Sequence, residues 1–248
     1  LARHLAAAGW PVVLLEHPGS DAAAVQALLE GRESFDGARA LQDRLQDLES
    51  VLSAQAQQRI PIQGERVVLA GHSMGALTAL VASGHSPQSG MDQRCQKALG
   101  DLPLTNLSRL LQCELLERGV LRSRSVPVSP AAVLGLNSLG SVIWPVGSSD
   151  PSPTPLLLVG GTLDLITPPL DEQIGLLASL AQHPYSRVVV IEGASHFSPI
   201  RVGETQVGTR EDDLFQLGED LVGVNPRSAQ RIIANEIVVF LSGLSANS

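Results

Sequence analysis

Several kinds of residue are scarce in this chain of 248 residues, and each scarcity argues against a class of protein. The two cysteines, Cys95 and Cys113, are too few for a disulfide framework or a four-thiolate zinc site. We expect them to be buried free thiols, with a mutual disulfide as the alternative. The 17 basic residues are outnumbered by 25 acidic ones and form no block, which argues against nucleic acid as a partner.

Charge is absent from residues 125–149, a length that could cross a membrane. Three prolines and Asn137 interrupt this stretch, so it predicts a buried strand with flanking loops rather than a membrane span. The chain starts at Leu1 rather than methionine, and LARHLAAAGW predicts the last turns of a helix that ends near Gly9. We therefore expect a preceding segment, which would decide between a cytoplasmic and a periplasmic location.

Apolar runs of strand length alternate with amphipathic segments along the chain. Leucines at positions 41, 45, 48 and 52 predict a helix over residues 35–56, because they share one helical face. Strands are predicted at residues 11–15, 66–69, 131–136, 155–160 and 187–191, and further helices at residues 75–83, 169–182 and 227–244. This alternation predicts an α/β protein with a mostly parallel sheet and helices on both faces.

Two local features refine this outline. Thr167 precedes two prolines at the start of the helix predicted for residues 169–182, where a threonine is expected to cap the helix. Residues 84–128 are more polar and irregular, contain both cysteines and include a helical pattern at residues 107–119. We expect this segment to form a small helical cap between core elements.

One serine lies between two glycines where an apolar strand is expected to turn into an alanine-rich helix. Within VVLAGHSMGALTAL, residues 67–80, the segment Gly71-His72-Ser73-Met74-Gly75 matches the pattern GxSxG. A turn this sharp strains the serine, and glycines on either side remove Cβ atoms that would clash. The pattern therefore predicts that Ser73 is a nucleophile rather than a serine in an ordinary loop.

A serine nucleophile needs a general base, and the base needs a carboxylate that orients it. Asp164 follows the strand predicted at residues 155–160, and His196 follows the strand predicted at residues 187–191. Because the carboxyl ends of parallel strands meet at one edge of a sheet, Ser73, Asp164 and His196 are expected to form a catalytic triad. Their order along the chain is the one expected of this fold type.

Other acids and histidines fit these roles less well. Asp150 precedes the strand, Asp171 lies inside the next helix, and His72 is part of the turn itself. His17 ends a predicted strand, and a structural role in its turn is favoured over a place in the site. The sequence contains neither a phosphate-binding glycine loop nor a set of residues at metal-ligand spacing, so no cofactor and no metal are expected.

With these residues placed, the chain resembles α/β-hydrolases over nearly its whole length. The segments HLAAAGWPVVLLEHPGSD, VVLAGHSMGALTAL and GASHFSPIRVG are similar to bacterial, notably cyanobacterial, predicted dienelactone hydrolases, which in turn resemble platelet-activating-factor acetylhydrolases. The resemblance implies an α/β-hydrolase fold and the triad Ser73, Asp164 and His196. Dienelactone hydrolases proper use a cysteine nucleophile, so Ser73 favours a serine esterase or lipase-like activity.

In this fold, two backbone groups are expected to form the oxyanion hole. One is the N–H of Met74, which follows the nucleophile, and the other belongs to a loop that would precede Leu1. We therefore interpret residues 1–248 as one domain that lacks the first strands of the fold, with the cap at residues 84–128 inserted in it.

Together these features predict hydrolysis of a carboxylic ester, lipid and lactone esters included, through an acyl-enzyme on Ser73. The expected partner is a small-molecule ester. A thioesterase or an acyltransferase could use the same triad. From another functional class, the alternative is a non-catalytic, hydrolase-like binding or scaffold protein.

Overall fold

Among the described residues, the sheet consists of four parallel strands whose order in space follows their order in the chain. In this computed structural model, which describes residues 1–19, 27, 31–32, 36–61, 64, 66–100, 106–117, 129–147, 153–180, 183–200 and 223–246, the strands are β1 (Val68–His72), β2 (Ala132–Leu136), β3 (Leu156–Gly161) and β4 (Arg187–Ile191). All three neighbouring pairs are parallel. The predicted α/β class is confirmed, and the carboxyl ends of all four strands lie at the same edge.

Among the described residues, helices follow β1, β3 and β4 as the periodicity predicts, whereas no helix lies between β2 and β3. The helices are α1 (Ala2–Ala7), α2 (Gly37–Ala56), α3 (Met74–Ala82), α4 (Met91–Gly100), α5 (Ser108–Glu117), a π-helical turn (Leu170–Gly175) that runs into α6 (Leu176–Leu180), and α7 (Pro226–Ala246). Helices α4 and α5 lie within the predicted cap. Within the described ranges, no helix is both long and apolar enough to cross a membrane.

Helices cover both faces of the sheet, as the side chains of β3 show. Leu156 and Leu158 pack into a cluster with residues of α2 and α3, whereas Leu157 and Val159 pack into a second cluster with residues of α7. All four side chains are at most 1% exposed. A strand buried on both faces is a continuous apolar run, and this explains why the sequence located it.

The strand predicted at residues 11–15 is wrong. This segment joins no strand ladder in the described part of the chain, and Val12, Val13 and Leu14 are 37%, 45% and 78% exposed. An apolar run becomes a strand only where a neighbouring strand pairs with its backbone N–H and C=O groups. The apolar pattern alone does not supply that neighbour.

The prediction of free thiols is also wrong, because Cys95 of α4 and Cys113 of α5 form a disulfide. Their Cα atoms lie 5.5 Å apart, and the bond is buried against Val142. Two cysteines are too few for a framework of disulfides but sufficient for one bond between two packed helices. The disulfide joins α4 and α5, the two described helices of the segment predicted to form a cap.

Replacing both cysteines by alanine is expected to lower the free energy of unfolding by about 3 kcal/mol. The bond links residues 18 positions apart, and a closed loop of that size restricts the unfolded chain by roughly this amount. Urea denaturation measures the change, and wild-type protein treated with a reductant should match the double variant. Identical unfolding free energies for wild type and variant would contradict the expectation.

Candidate active site

Ser73 lies in a tight turn between β1 and α3. Its φ of 53° and ψ of −119° are strained for a residue with a Cβ atom. A Cβ on Gly71 would overlap the backbone of Gly75, so glycine is required at position 71, whereas a Cβ on Gly75 would have open space. The Ser73 N–H donates to the carbonyl oxygen of Leu136 in β2 at 2.9 Å, which fixes the turn to the sheet.

Met74 is the first residue of α3. The N–H groups in the first turn of a helix have no partner within it, and the helix dipole adds partial positive charge there. The backbone N–H of Met74 is therefore suited to bind a negative oxygen beside the half-buried Ser73.

Asp164 occupies the turn after β3 and is 1% exposed. Its Oδ1 accepts hydrogen bonds from the backbone N–H groups of Ile166 and Thr167, at 2.9 and 2.8 Å. Its Oδ2 accepts from Asn137 Nδ2 and from Thr167 Oγ1, both at 2.6 Å. Burial alone would raise the pKa of Asp164, but the bond and charge of His196 and the bonds of Thr167 lower it to about 2. The carboxylate is therefore ionised at neutral pH.

His196 lies after β4, 4% exposed, with its ring beside this carboxylate. Its Nδ1 is 2.9 Å from Asp164 Oδ2 and 3.2 Å from Oδ1. Because an ionised carboxylate can only accept, Nδ1 carries the proton, and the neutral ring keeps a lone pair on Nε2. This is the tautomer that a general base needs.

His72, the residue before Ser73, contacts His196 from the other side. Its Nε2 donates to the carbonyl oxygen of His196 at 2.7 Å, and the ring centroids lie 4.9 Å apart. Burial, followed by the neighbouring His196, lowers the pKa of His72 to about 4. The structure thus joins Asp164 directly to His196, whereas in the described part of the chain no hydrogen bond links Ser73 Oγ to His196.

The sequence analysis did not identify two residues that donate hydrogen bonds to Asp164. Asn137 follows β2 directly and has a φ of 48°. A polar residue at the carboxyl end of a predicted strand is the sequence signal that could have identified it. The prediction that Thr167 caps the next helix is wrong, because Pro169 occupies the cap position and no side chain caps there. The hydroxyl of Thr167 donates instead to the charged carboxylate of Asp164, which is the stronger acceptor.

Two other candidates for the acid and the base, Asp171 and His17, pair with different residues. Asp171 pairs with Arg109 at 3.1 Å, and Asp150 lies outside the described residues. His17 Nδ1 is 2.8 Å from Asp47 of α2, 30 residues along the chain, so this contact lies outside its own turn. Among the described residues, no cluster of three or more His, Cys, Asp or Glu could hold a metal ion.

A second buried carboxylate, Glu172, connects the segment predicted as a cap, residues 84–128, to this edge of the sheet. It is 0% exposed. Its Oε1 accepts from Asn106 Nδ2 and Gln112 Nε2 of the cap, both at 3.0 Å. Its Oε2 accepts from the backbone N–H groups of Gly140 and Ser141 after β2, at 2.7 and 2.9 Å. The cap therefore contacts the loop that begins with the Asp164-binding asparagine.

The stability of the wild type is expected to fall more steeply than that of a His72→Gln variant as the pH drops from about 6.5 to about 4. The imidazole takes up a proton near pH 6.5 in the unfolded chain but only near pH 4 when folded. Between these values the unfolded state binds more protons, so acid favours unfolding, by about 3 kcal/mol at pH 4. Urea titrations across this range measure the effect, and parallel pH profiles for the two proteins would contradict it.

One comparison with known proteins agrees with this architecture. A model described as "Alpha/beta hydrolase family" matches residues 1–204. No curated protein sequence matches significantly. Among solved structures, the chain is similar to one titled "Crystal structure of Zea mays acyl-protein thioesterase 2", with 17% identity over 72% of this chain and a TM-score of 0.28. The chain covers 66% of that protein, and a likeness this distant carries no argument about activity.

Proposed function

We propose that this chain, which belongs to the α/β hydrolase family, hydrolyses a carboxylic ester through an acyl-enzyme on Ser73. The observation that carries the proposal is the buried pair of Asp164 and His196, whose hydrogen bond leaves His196 Nε2 free to accept a proton. A strained serine at the same edge of the sheet supports the assignment of the nucleophile.

In the proposed mechanism, Ser73 Oγ attacks the carbonyl carbon of the ester while His196 Nε2 takes its proton. The oxygen of the tetrahedral intermediate accepts a hydrogen bond from the Met74 N–H. When the C–O bond to the alcohol breaks, His196 returns the proton to the departing alcohol. A water molecule, deprotonated by His196, then attacks the acyl-enzyme, and His196 returns that proton to Ser73 Oγ as the C–Oγ bond breaks and the carboxylic acid is released. Asp164 stays ionised and stabilises the protonated imidazole throughout.

Within the family, we propose a protein similar to the predicted dienelactone hydrolases and platelet-activating-factor acetylhydrolases. We propose a serine esterase rather than a dienelactone hydrolase proper, because this chain carries serine and not cysteine in the turn. The cap-like segment at residues 84–128 would border the substrate. Its helix α5 supports this placement, since the Ser108 N–H donates to the carbonyl oxygen of Ile166, two residues after Asp164, at 3.0 Å.

Labelling with a fluorophosphonate probe tests the nucleophile, because the probe reacts only with an activated serine. Intact mass and peptide mapping should show one adduct per chain, on Ser73, and the Ser73→Ala variant should take up none. A Ser83→Ala variant, altered at the far end of α3, serves as the matched control and should be labelled like the wild type. Folded wild-type protein that takes up no probe would contradict the proposal. Esters and thioesters of the same acyl group, compared by kcat/KM, then identify the substrate class.

A further inference from the structure

The turn that carries His196 follows β4 but contacts the end of β1, on the other side of the sheet. His72 ends β1, and His196 follows β4, which are the two outer strands of the sheet in the described part of the chain. Three strand spacings separate them, about 14 Å at the usual distance between strands. Because β1 and β4 are not neighbours, no ladder hydrogen bond sets the distance between the Ser73 turn and the His196 turn. A contact between the two turns would set that distance directly.

We propose that His72 is a positioning residue that holds His196 against Ser73, by donating its Nε2–H to the carbonyl oxygen of His196. The inference rests on the proposed function, because it assigns His72 a role in the reaction of that site. His72 touches no reacting atom in this scheme, and it acts through the backbone of the general base.

The contacts of His196 explain why this bond matters. The Nδ1 of its ring is held by Asp164 from the β3 side, at 2.9 Å. On the same side, the N–H of Leu163 donates to the carbonyl oxygen of Ala194 at 3.0 Å. On the β1 side, the 2.7 Å bond from His72 ties the His196 backbone to the residue next to Ser73. His196 is thus fixed at its ring by one turn and at its backbone by the strand that ends in the nucleophile.

The chemistry of His72 suits a fixed donor. A carbonyl oxygen only accepts, so the bond requires the proton on Nε2 of His72. The lowered pKa of about 4 keeps His72 neutral at the pH where esters are hydrolysed, so no second positive charge develops beside His196 when that ring is protonated. The strand position of His72 is set by its register with Leu136, so the donor does not depend on a loop.

Two variants separate the hydrogen bond from the packing of the ring. His72→Phe keeps an aromatic ring without a donor, and His72→Gln keeps an N–H donor without the ring. We expect His72→Phe to lower kcat for a p-nitrophenyl ester about 10- to 100-fold with KM changed less than about threefold, because a displaced base slows proton transfer more than binding. His72→Gln should recover kcat to within about fivefold of the wild type. Equal kcat values for wild type and His72→Phe would overturn the inference.

Proton NMR of the His196 ring tests the positioning without turnover. The Nδ1 proton shared with Asp164 should exchange slowly in the wild type and faster in His72→Phe, and an unchanged exchange rate in the folded variant would also overturn the inference. His72→Met replaces the phenylalanine variant if that protein does not fold. Failure of the proposed function would be distinct: the wild type would take up no fluorophosphonate at Ser73, whatever the variants do to the Nδ1 proton.

Discussion

Replacement of His196 by alanine is expected to lower kcat for ester hydrolysis on the order of a millionfold. Without Nε2, nothing accepts the proton of Ser73 as it attacks and nothing returns it to the leaving alcohol, and loss of such a base in a serine hydrolase costs about this much. Steady-state rates on a p-nitrophenyl ester measure the change. The KM should change far less than kcat, since the missing group acts in the transition state.

Two controls show that the loss is chemical. A His4→Ala variant, altered at an exposed histidine of α1, should retain the wild-type rate. Added imidazole should restore part of the activity of His196→Ala, because a small base can enter the space that the ring leaves. A His196→Ala variant within about tenfold of the wild type would show that His196 is not the general base.

Replacement of Asp164 by asparagine is expected to lower kcat about 10⁴-fold with the fold retained. The amide would donate to His196 Nδ1 where the carboxylate accepts, so the ring would carry its proton on Nε2 and could not take one from Ser73. The same amide would face donors from Asn137 and Thr167 that now meet carboxylate oxygens. Steady-state kinetics and the unfolding midpoint, measured together, separate the loss of catalysis from any loss of stability.

Asp171→Asn provides the matched control for this variant. Asp171 is one of the two other carboxylates considered for the acid, lies seven positions further along the chain and pairs with Arg109 near the surface. A partly exposed ion pair contributes little, so this variant should keep the wild-type rate within about twofold. If Asp171→Asn lost more activity than Asp164→Asn, the acid of the triad would be misassigned.

The sequence patterns predicted those elements that depend on residues close together in the chain. The leucine spacing of α2, the apolar runs of β2 and β3 and the glycine-flanked Ser73 each depend on residues close in sequence, and all appear near their predicted bounds. Asp164 and His196 could be placed because parallel strands bring their carboxyl ends to one edge. Their hydrogen bond is present in the structure.

The remaining features depend on residues far apart in the chain. The bond between His72 and His196 joins positions 124 residues apart, and the disulfide depends on how α4 packs against α5. Asn137 is a polar residue at a strand end, but its partner is set by the order of the strands. The misassigned strand at residues 11–15 has the same cause, because strand formation requires a neighbour that an apolar run does not specify.

The hydrogen bonds of Glu172 make a stepwise separation of α5 from the sheet edge unfavourable. If the donors Asn106, Ser108 and Gln112 withdrew one after the other, Oε1 would keep only the hydroxyl of Ser141, while Oε2 remained bound to the loop after β2. A buried carboxylate that loses hydrogen bonds is costly, so partly detached arrangements are disfavoured. Separation of α5 from this edge of the sheet is therefore expected to occur in one step with a barrier rather than as a continuous fluctuation.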